Sequence, residues 1–310
     1  MFFGPSYPKN ALSLERDHIA AVELEKKSYF YSIRKASVVN LPEGLLTPSF
    51  SEKNIADAEQ LAYLIQEAVQ RADLRRKKRW SVALPNETSQ TLIITLETEP
   101  KSQKELHEVI DWKVEKALGV SAEELRLAHE RLEYEGLRTD EIEKSRYIVT
   151  AIRLSVLDEY ETLFEQMRWN VGLILPRLVG EMKLLTKVSE ADSLLLSFHR
   201  EGFWAILLRN QIPFFLRSIV CEEKEIDDEI YRLLMFYKER LSPQAPESLK
   251  SVLIIGKKIE PTRINKIFDE TLATEPNILT SKDVMIDISS TNFDFFKVAA
   301  PAGIATLAWG

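Results

Sequence analysis

The sequence predicts an α/β protein of two similar halves, with a small α+β unit inserted in the first half. Short alternating apolar segments, typical of strands, precede segments in which apolar residues recur every three or four positions, as in amphipathic helices. The order of three strands, a helix, a strand and a helix occurs twice along the chain. Because 310 residues exceed what one hydrophobic core usually holds, each half is expected to form a domain.

The first domain is predicted at residues 1–188. Pro42, Gly44 and Pro48 mark a loop between its meander of strands and its first helix. Outside the insertion, its predicted elements are strands at 12–14, 19–22 and 29–33, a helix over 61–72, a strand at 80–84, a helix beginning near Ser155 and a helical segment over 178–188.

An inserted subdomain is predicted at about 90–152. Ser102 and Glu105 have the spacing of a capping box at a helix start, and Gly119 stands where a C-terminal cap belongs. Strand-like segments at 91–97, 125–134 and 147–152 accompany this helix, and a polar turn over 136–143 joins the last two. The unit is therefore expected to have a small core of its own.

The second domain is predicted at residues 189–310, where the pattern of the first half restarts. Its predicted elements are strands at 193–198, 204–208 and 213–219, a helix over 226–241, a strand at 252–255, a helix over 263–272, a short strand near 284–288 and an apolar helix from residue 298. Sequence identity between the halves is negligible, so the repeat is one of pattern.

Composition excludes several kinds of site. The 10 glycines are never closer than seven positions, whereas a P-loop needs glycines five apart and a Rossmann fingerprint a closer pair. The single cysteine, Cys221, excludes an internal disulfide and a paired-cysteine metal site. The four histidines form no HxxxH pair for zinc, so no metal site is predicted.

Charge and hydropathy indicate where the protein works. A net charge of −7 argues against a nucleic-acid partner. No apolar run approaches the ~18 residues of a membrane-spanning helix, and the first ten residues lack the regions of a signal peptide. With one cysteine suited to a reducing compartment, the expected location is cytoplasmic.

Four segments carry a resemblance to a known family. They are residues 109–125 (VIDWKVEKALGVSAEEL), 210–219 (NQIPFFLRSI), 229–237 (EIYRLLMFY) and 299–305 (AAPAGIA). Each resembles a segment of the PilM family, the actin-like proteins of type IV pilus assembly, although Gly119 stands where that family usually has proline. The resemblance implies an actin-like (RNase H-like) duplicated two-domain fold, in the superfamily that includes FtsA and sugar kinases.

The same resemblance implies where nucleotide would bind, and the first binding turn departs from the pattern. Actin-like ATPases hold phosphate and magnesium with two D-x-G turns, because the metal's water shell needs an acidic group and the phosphate needs a close backbone amide. In the first turn Ser13 stands at the aspartate, Glu15 at the glycine and Ala20 at a following lysine. A carboxylate at Glu15 would repel phosphate.

The second turn and the adenosine side depart as well. Ser197 stands at the second aspartate, His199 at the second glycine, and Gly256 alone remains of a glycine pair. Ser197 and His199 share a strand face, but no oxyanion loop or glycine elbow accompanies them, so a Ser–His catalytic pair is disfavoured. The expectation is a pseudo-ATPase without catalytic residues, in which no cofactor is needed and ATP with magnesium is not excluded.

The resemblance implies a scaffold of the pilus assembly platform that binds the N-terminal cytoplasmic tail of a PilN-type membrane protein. Such a tail would lie as an extended peptide in a groove between the first domain and its insertion. The groove is predicted between residues 80–85 and 91–96 on one side and 146–152 on the other. Its candidate residues are Val82, Leu84, Leu92, Ile94, Ile148 and Ala151.

Three other functions remain open. One is a working actin-like ATPase or kinase with unrecognised motifs, which the missing D-x-G pair disfavours. Another is a GspL-like cytoplasmic component of type II secretion, which would continue into a transmembrane helix, whereas this sequence ends at Ala-Trp-Gly. A filament-forming role is a further alternative for an actin-like fold.

One dense basic run, RRKKR from Arg75 to Arg79, has two interpretations. The first is a solvated helix end, where cations complement the helix dipole. The second is a contact with anionic lipid headgroups, as expected of a protein that lies peripherally at the inner membrane. The first interpretation is favoured, because no second basic cluster accompanies the run.

Overall fold

A computed structural model of the chain describes residues 6–133, 145–186, 188, 191–289 and 293–309. The predicted polar turn over 136–143 lies outside the described residues. The strands are β1 (Asn10–Leu14), β2 (His18–Lys26), β3 (Tyr31–Asn40), β4 (Arg79–Leu84), β5 (Ser89–Leu96), β6 (Leu125–Leu132), β7 (Ser145–Arg153), β8 (Asn170–Pro176), β9 (Asp192–His199), β10 (Gly202–Arg209), β11 (Ile212–Val220), β12 (Leu249–Ile255), β13 (Asn277–Ile278) and β14 (Ile286–Asp287). The helices are α1 (Ala58–Arg71), α2 (Gln103–Leu118), α3 (Leu154–Gln166), α4 (Arg177–Leu185), α5 (Ile226–Phe236), α6 (Pro261–Leu272) and α7 (Phe295–Ala305).

The two large sheets share one plan. The first has the order β14-β3-β2-β1-β4-β8, in which β1, β2 and β3 form an antiparallel meander and β4 and β8 run parallel to β1. The second has the order β11-β10-β9-β12-β13, with the meander β9, β10, β11 and the parallel strand β12 beside β9. The predicted duplicated α/β fold is confirmed.

Helices cover both faces of the sheets, which is why β1 and β9 are buried at nearly every position. Helices α1 and α3 pack on the outer face of the first sheet, and α5 and α6 on that of the second. Helices α4 and α7 lie between the sheets. One continuous apolar cluster there contains Val22 from the first sheet, Leu195 from the second, and Leu178 and Val298 from the two helices.

The insertion is a third sheet, β5-β7-β6, with α2 on one face. The Ser102 hydroxyl accepts a hydrogen bond from the Glu105 amide (3.1 Å), and Gly119 is left-handed at the C-terminal cap (φ 67°), as predicted. In a capping box the Glu105 carboxylate would accept a hydrogen bond from the Ser102 amide. Here it accepts one from the Lys101 amide instead. No helix in the described ranges is long and apolar enough to cross a membrane.

Strands β8 and β14 are two of the places where the structure differs from the sequence expectation. Strand β8 is not predicted, because Gly172 and Pro176 interrupt its apolar pattern, and both residues are tolerated here at a sheet edge. Strand β14 comes from the predicted second domain, 189–310, yet it pairs with β3 of the first sheet. The chain thus returns to the first sheet before α7. The second domain therefore does not correspond to the continuous segment 189–310.

Helices α4 and α7 cross at two glycines. A Cβ atom added at Gly180 would lie 2.4 Å from the Ala300 carbonyl oxygen, and one added at Gly303 would lie 1.9 Å from the Gly180 carbonyl oxygen. Both clashes are with backbone, which cannot rotate away as a side chain can. Glycine is therefore required at both positions for the helices to approach this closely.

Gly180→Ala is expected to lower the free energy of unfolding by about 1–3 kcal/mol, because overpacking between two helices outweighs the higher helix propensity of alanine. Urea denaturation measures this change. Gly172→Ala in β8 is the control, because its Cβ meets nothing within 4 Å. Equal stability of the Gly180→Ala and Gly172→Ala variants would contradict a close backbone contact between α4 and α7.

Candidate functional site

A cleft of about 640 Å³ opens where the strands of both large sheets end. Glu15 follows β1 and Arg177 follows β8 on one side, while His199 ends β9 and Gly256 follows β12 on the other. The carboxyl ends of parallel strands meet at one edge of a sheet, and such edges are the usual place for ligands in α/β proteins. This cleft is where the resemblance places nucleotide.

The cleft collects most of the predicted phosphate-loop positions. Ser13, Glu15, His199 and Gly256 line it. Ser197 lies just below, fully buried, and the hydroxyls of both Ser13 and Ser197 lack a hydrogen-bond partner among the described residues. Ala20 does not line it: it pairs with Ser13 across β1 and β2 and packs into the core between the sheets. The expectation for Ala20 is thus corrected, because its side chain is buried in this core and not at the cleft.

The Arg177 guanidinium occupies the floor of the cleft. Its Nη1 donates to the Glu15 carboxylate (2.9 Å), and its Nε and Nη2 reach the Glu181 carboxylate (2.8 and 2.7 Å). Its Nη2 also lies 3.2 Å from where a Cβ would stand at Gly256. Glu181 is fully buried and Glu15 is 9% exposed, so this is a buried cluster of one cation and two carboxylates.

Burial and charge shift the pKa values of this cluster. Burial raises the pKa of Glu15 above its ordinary value of 4.5, and Arg177 only partly opposes the shift. Burial acts to lower the pKa of Arg177, but Glu15 and Glu181 outweigh it, so the pKa of Arg177 is raised and its charge is fixed. Burial likewise lowers the pKa of His199, against the opposing effect of Glu87.

Two weak ion pairs bridge the mouth of the cleft. Arg16 lies 3.8 Å from Glu201, and Arg200 lies 3.6 Å from Glu43, each pair joining the first half to the second. Both are solvent-exposed, and such pairs contribute at most about 1 kcal/mol. These pairs therefore contribute little to the stability of the cleft, whereas the ion cluster beneath them is buried.

The charges that line the cleft are balanced. Four cationic side chains, Arg16, Arg177, Arg200 and Lys297, face four carboxylates, Glu15, Asp17, Glu43 and Glu87. A triphosphate site needs an excess of donors and positive charge. The Glu15 carboxylate stands where the resemblance implies the first glycine, and the Arg177 guanidinium lies beside Gly256, so this lining does not match the phosphate and magnesium site that the resemblance implies. Within the described ranges, no group of three or more ligating side chains could hold a metal ion.

Arg177 and Glu181, at the centre of the buried ion cluster, are not predicted from the sequence. Arg177 and Glu181 have the i, i+4 spacing of a helical ion pair, which is detectable in a sequence. Nothing in the sequence indicates that this pair is buried or that it reaches Glu15, 162 positions earlier. Asn86 was also missed; its Oδ1 caps the start of α4 by accepting from the Leu178 amide (2.9 Å).

A second opening, a groove of about 280 Å³, separates the first sheet from the insertion. Strand β8 forms one wall and strands β6 and β7 the other, with Leu157 and Glu161 of α3 below. Strand β8 ends the first sheet and pairs only with β4 among the described strands, so its outer edge faces the groove. The remaining lining residues are Leu84, Thr88, Ser89, Arg126, Ala128, Thr150, Ile152 and Val171–Pro176.

The predicted walls of this groove need correction. Residues 91–96 and 146–152 do not face each other, because they are paired neighbours in one sheet, with Leu92 opposite Val149 and Ile94 opposite Tyr147. They belong to the insertion's own sheet, and the opposite wall is β8. This groove lies between the first sheet and the insertion.

The predicted groove residues are mostly buried. Among them only Leu84 lines the groove. Leu92, Ile94 and Ala151 pack toward α2 on the other face of the inserted sheet, and their strand neighbours Thr150 and Ile152 face the groove instead. Successive residues of a strand point to opposite faces, so a shift of one position exchanges core for surface. The other two, Val82 and Ile148, are also buried.

Comparison with known proteins identifies the fold. No protein-family model and no curated protein matches the chain. A chain of the PilM-PilN type IV pilus biogenesis complex matches over 99% of this chain and 100% of that one, with a TM-score of 0.76 and 17% identity. The chain therefore has a PilM-like, actin-like fold, as the resemblance implies.

Two other solved structures are less similar. One is a Bacteroides thetaiotaomicron protein of actin-like ATPase fold and unknown function, with a TM-score of 0.47, 12% identity and 96% coverage of both chains. The other is the cytoplasmic domain of EpsL, an inner membrane component of the type II secretion system of Vibrio cholerae. It has a TM-score of 0.45 and 10% identity, over 86% of this chain and 96% of that one.

Arg177→Met is expected to lower the free energy of unfolding by about 3–5 kcal/mol, because it leaves two buried carboxylates without a counter-charge. Glu15→Gln is the matched control, since Arg177 then keeps Glu181 and the cluster becomes neutral. Urea denaturation at pH 7 compares the two. Similar losses in both variants would contradict a cluster in which one cation serves two carboxylates.

The same cluster predicts a pH dependence. Because the pKa of Glu15 is raised in the folded state, the folded protein holds this proton more tightly than the unfolded chain. The wild type therefore loses stability as the pH rises above about 4.5, whereas Glu15→Gln lacks this loss. The stability of Glu15→Gln relative to wild type should increase between pH 4 and pH 7 in denaturation curves. A constant difference would show that Glu15 titrates as it does in the unfolded chain.

Proposed function

We propose that this chain is a non-catalytic scaffold of a type IV pilus assembly platform, which captures the N-terminal tail of a PilN-type membrane protein. It would work at the cytoplasmic face of the inner membrane, together with other platform proteins. The observation that carries the proposal is the groove along the unpaired edge of β8. The likeness to a chain of a PilM–PilN complex supports the choice of partner.

The groove suits an extended peptide. An outer strand with a free edge offers backbone donors and acceptors in the spacing that an added strand needs, which gives affinity without a particular sequence. Apolar side chains beside this edge, among them Leu157, Leu173 and Ile152, would receive leucines of an Asn-Leu-Leu-Pro segment. Arg126 and Glu161 supply one charge of each sign for the polar ends of such a segment.

The cleft supports a role without catalysis. Hydrolysis of ATP needs a site that cradles phosphate and holds magnesium, and here the buried cluster of Arg177, Glu15 and Glu181 occupies the floor. Opening that site would break a buried ion cluster, which typically costs several kcal/mol. A working ATPase remains the rival function, and it requires this cluster to rearrange.

The proposal predicts that a labelled PilN-type N-terminal peptide binds with micromolar affinity and that Mg-ATP does not change this affinity. Fluorescence anisotropy of the full chain measures both. Gly172→Ile should weaken binding by about ten-fold or more, because Gly172 lines the groove and a side chain there would occupy part of it; the added Cβ atom itself meets nothing within 4 Å. Ser218→Ile, at an exposed position of the edge strand β11, is the matched control.

The results of this binding experiment distinguish the proposed scaffold from the alternative functions. Binding that requires Mg-ATP would favour the actin-like ATPase. Loss of binding in both isoleucine variants would place the peptide elsewhere or indicate a folding defect, which circular dichroism would detect. Absence of binding with and without nucleotide would overturn the proposed partner and leave the fold alone.

A further inference from the structure

A turn with two exposed aromatic residues projects from one end of the first sheet. Tyr29 is 90% exposed and Phe30 is 40% exposed, in the turn that joins β2 to β3. The Lys27 amide donates to the Phe30 carbonyl (2.8 Å), so the turn is closed by its own backbone. Neither ring is needed by the core, and exposing two large rings in one turn is costly unless a partner covers them.

This turn extends beyond the neighbouring strand. The last pair between β1 and β2 is Asn10 with Glu23, after which β2 continues for three residues. At about 3.3 Å per residue, the tip stands about 10 Å beyond the start of β1. Its described neighbour is the half-exposed Met285, whose carbonyl accepts from the Tyr31 amide (2.8 Å).

The basic run lies at the same end of the same sheet. Strand β4 is parallel to β1 and begins beside it, because Ala11 pairs with Ser81 and the Asn10 side chain donates to the Arg79 carbonyl (2.7 Å). The run is not a helix end, since α1 ends at Arg71 and the run occupies the turn before β4. The interpretation as a solvated helix end is therefore corrected.

Three cations of this run are available to a partner. The side chains of Arg75, Arg76 and Lys78 are exposed and make no hydrogen bond or salt bridge within the part of the chain that the structure describes. The nearby acids are already neutralised by lysines: Glu23 by Lys77 (2.8 Å), Glu25 by Lys27 (2.9 Å) and Asp73 by Lys35 (2.6 Å). This end of the sheet is thus positive, although the chain has a net charge of −7.

We propose that the surface formed by Tyr29, Phe30, Arg75, Arg76 and Lys78, here called the basal surface, docks directly on an anionic lipid bilayer. Exposed aromatic rings beside cations are the side chains that favour the interface between water and lipid. The projecting turn would enter the headgroup layer, while the recessed cations would face the phosphates. None of these five residues lines the groove, so this contact goes beyond peptide capture and does not depend on it.

The experiment is co-sedimentation of the full chain, without peptide, with vesicles of phosphatidylcholine alone or with added phosphatidylglycerol. Binding is expected only to the anionic vesicles and should weaken as salt is raised. Each cation near such a surface strengthens partitioning by about five-fold, so the triple variant R75E/R76E/K78E should weaken it by more than about 100-fold. The variant Y29S/F30S should weaken it by about ten-fold.

Matched controls distinguish this surface from general charge and hydrophobicity. The triple variant K104E/K250E/K266E makes the same change of charge at exposed positions elsewhere, and Tyr231→Ser removes an aromatic residue that is 40% exposed on α5. Neither control should change binding.

The emission of an environment-sensitive dye attached at Ser28→Cys, in a Cys221→Ser background, should shift to the blue on anionic vesicles.

Three results would overturn the proposal. They are equal binding to neutral vesicles, equal effects of the basal and control variants, and absence of binding at low salt. If the basal variants instead abolish self-association in sedimentation velocity and leave vesicle binding unchanged, the surface is an interface between copies of this chain. Peptide binding that persists in the basal variants would show that they fold and that groove and surface act separately.

Discussion

The backbone contact between α4 and α7 is the constraint on which the rest of this architecture depends. These helices form the layer between the two large sheets, and at Gly180 and Gly303 they touch without side chains between them. Because neither glycine leaves room for a Cβ, the separation of the helices is fixed, and the apolar cluster around them joins both halves into one core. Arg177 of α4 and Ala300 of α7 line the cleft, so this crossing lies beside it.

Strand β8 and helix α4 connect the two openings of the molecule. The strand lines the groove up to Pro176, and the next residue, Arg177, reaches into the cleft. Asn86 and the buried ion cluster both hold the start of α4, so this junction is anchored on each side. The groove and the cleft therefore share a rigid element, although their chemistry differs: one offers a free backbone edge, the other a neutralised set of charges.

Charge is distributed unevenly over this acidic chain. At the carboxyl end of the strands, acids and bases of the cleft cancel, and the central cation is buried with two carboxylates. At the opposite end of the first sheet, lysines neutralise the acids, and Arg75, Arg76 and Lys78 remain in excess. The net charge of the sequence does not reveal this arrangement, because it carries no information on the end of the sheet at which a residue lies.

The sequence by itself determined the duplicated fold and the inserted unit, because periodicity and turn residues are local. The departures at Ser13, Glu15, Ser197 and His199 are predictions from the resemblance. It did not determine strand β8, whose Gly172 and Pro176 weaken the pattern that edge pairing tolerates. It also placed Ile94 and Ala151 in the groove, since one residue of strand register decides which face is buried. Only the tertiary structure brought Glu15 to Arg177 and placed the 29–30 turn at the same end of the first sheet as the basic run, because strand pairing and helix packing join segments that are far apart in sequence.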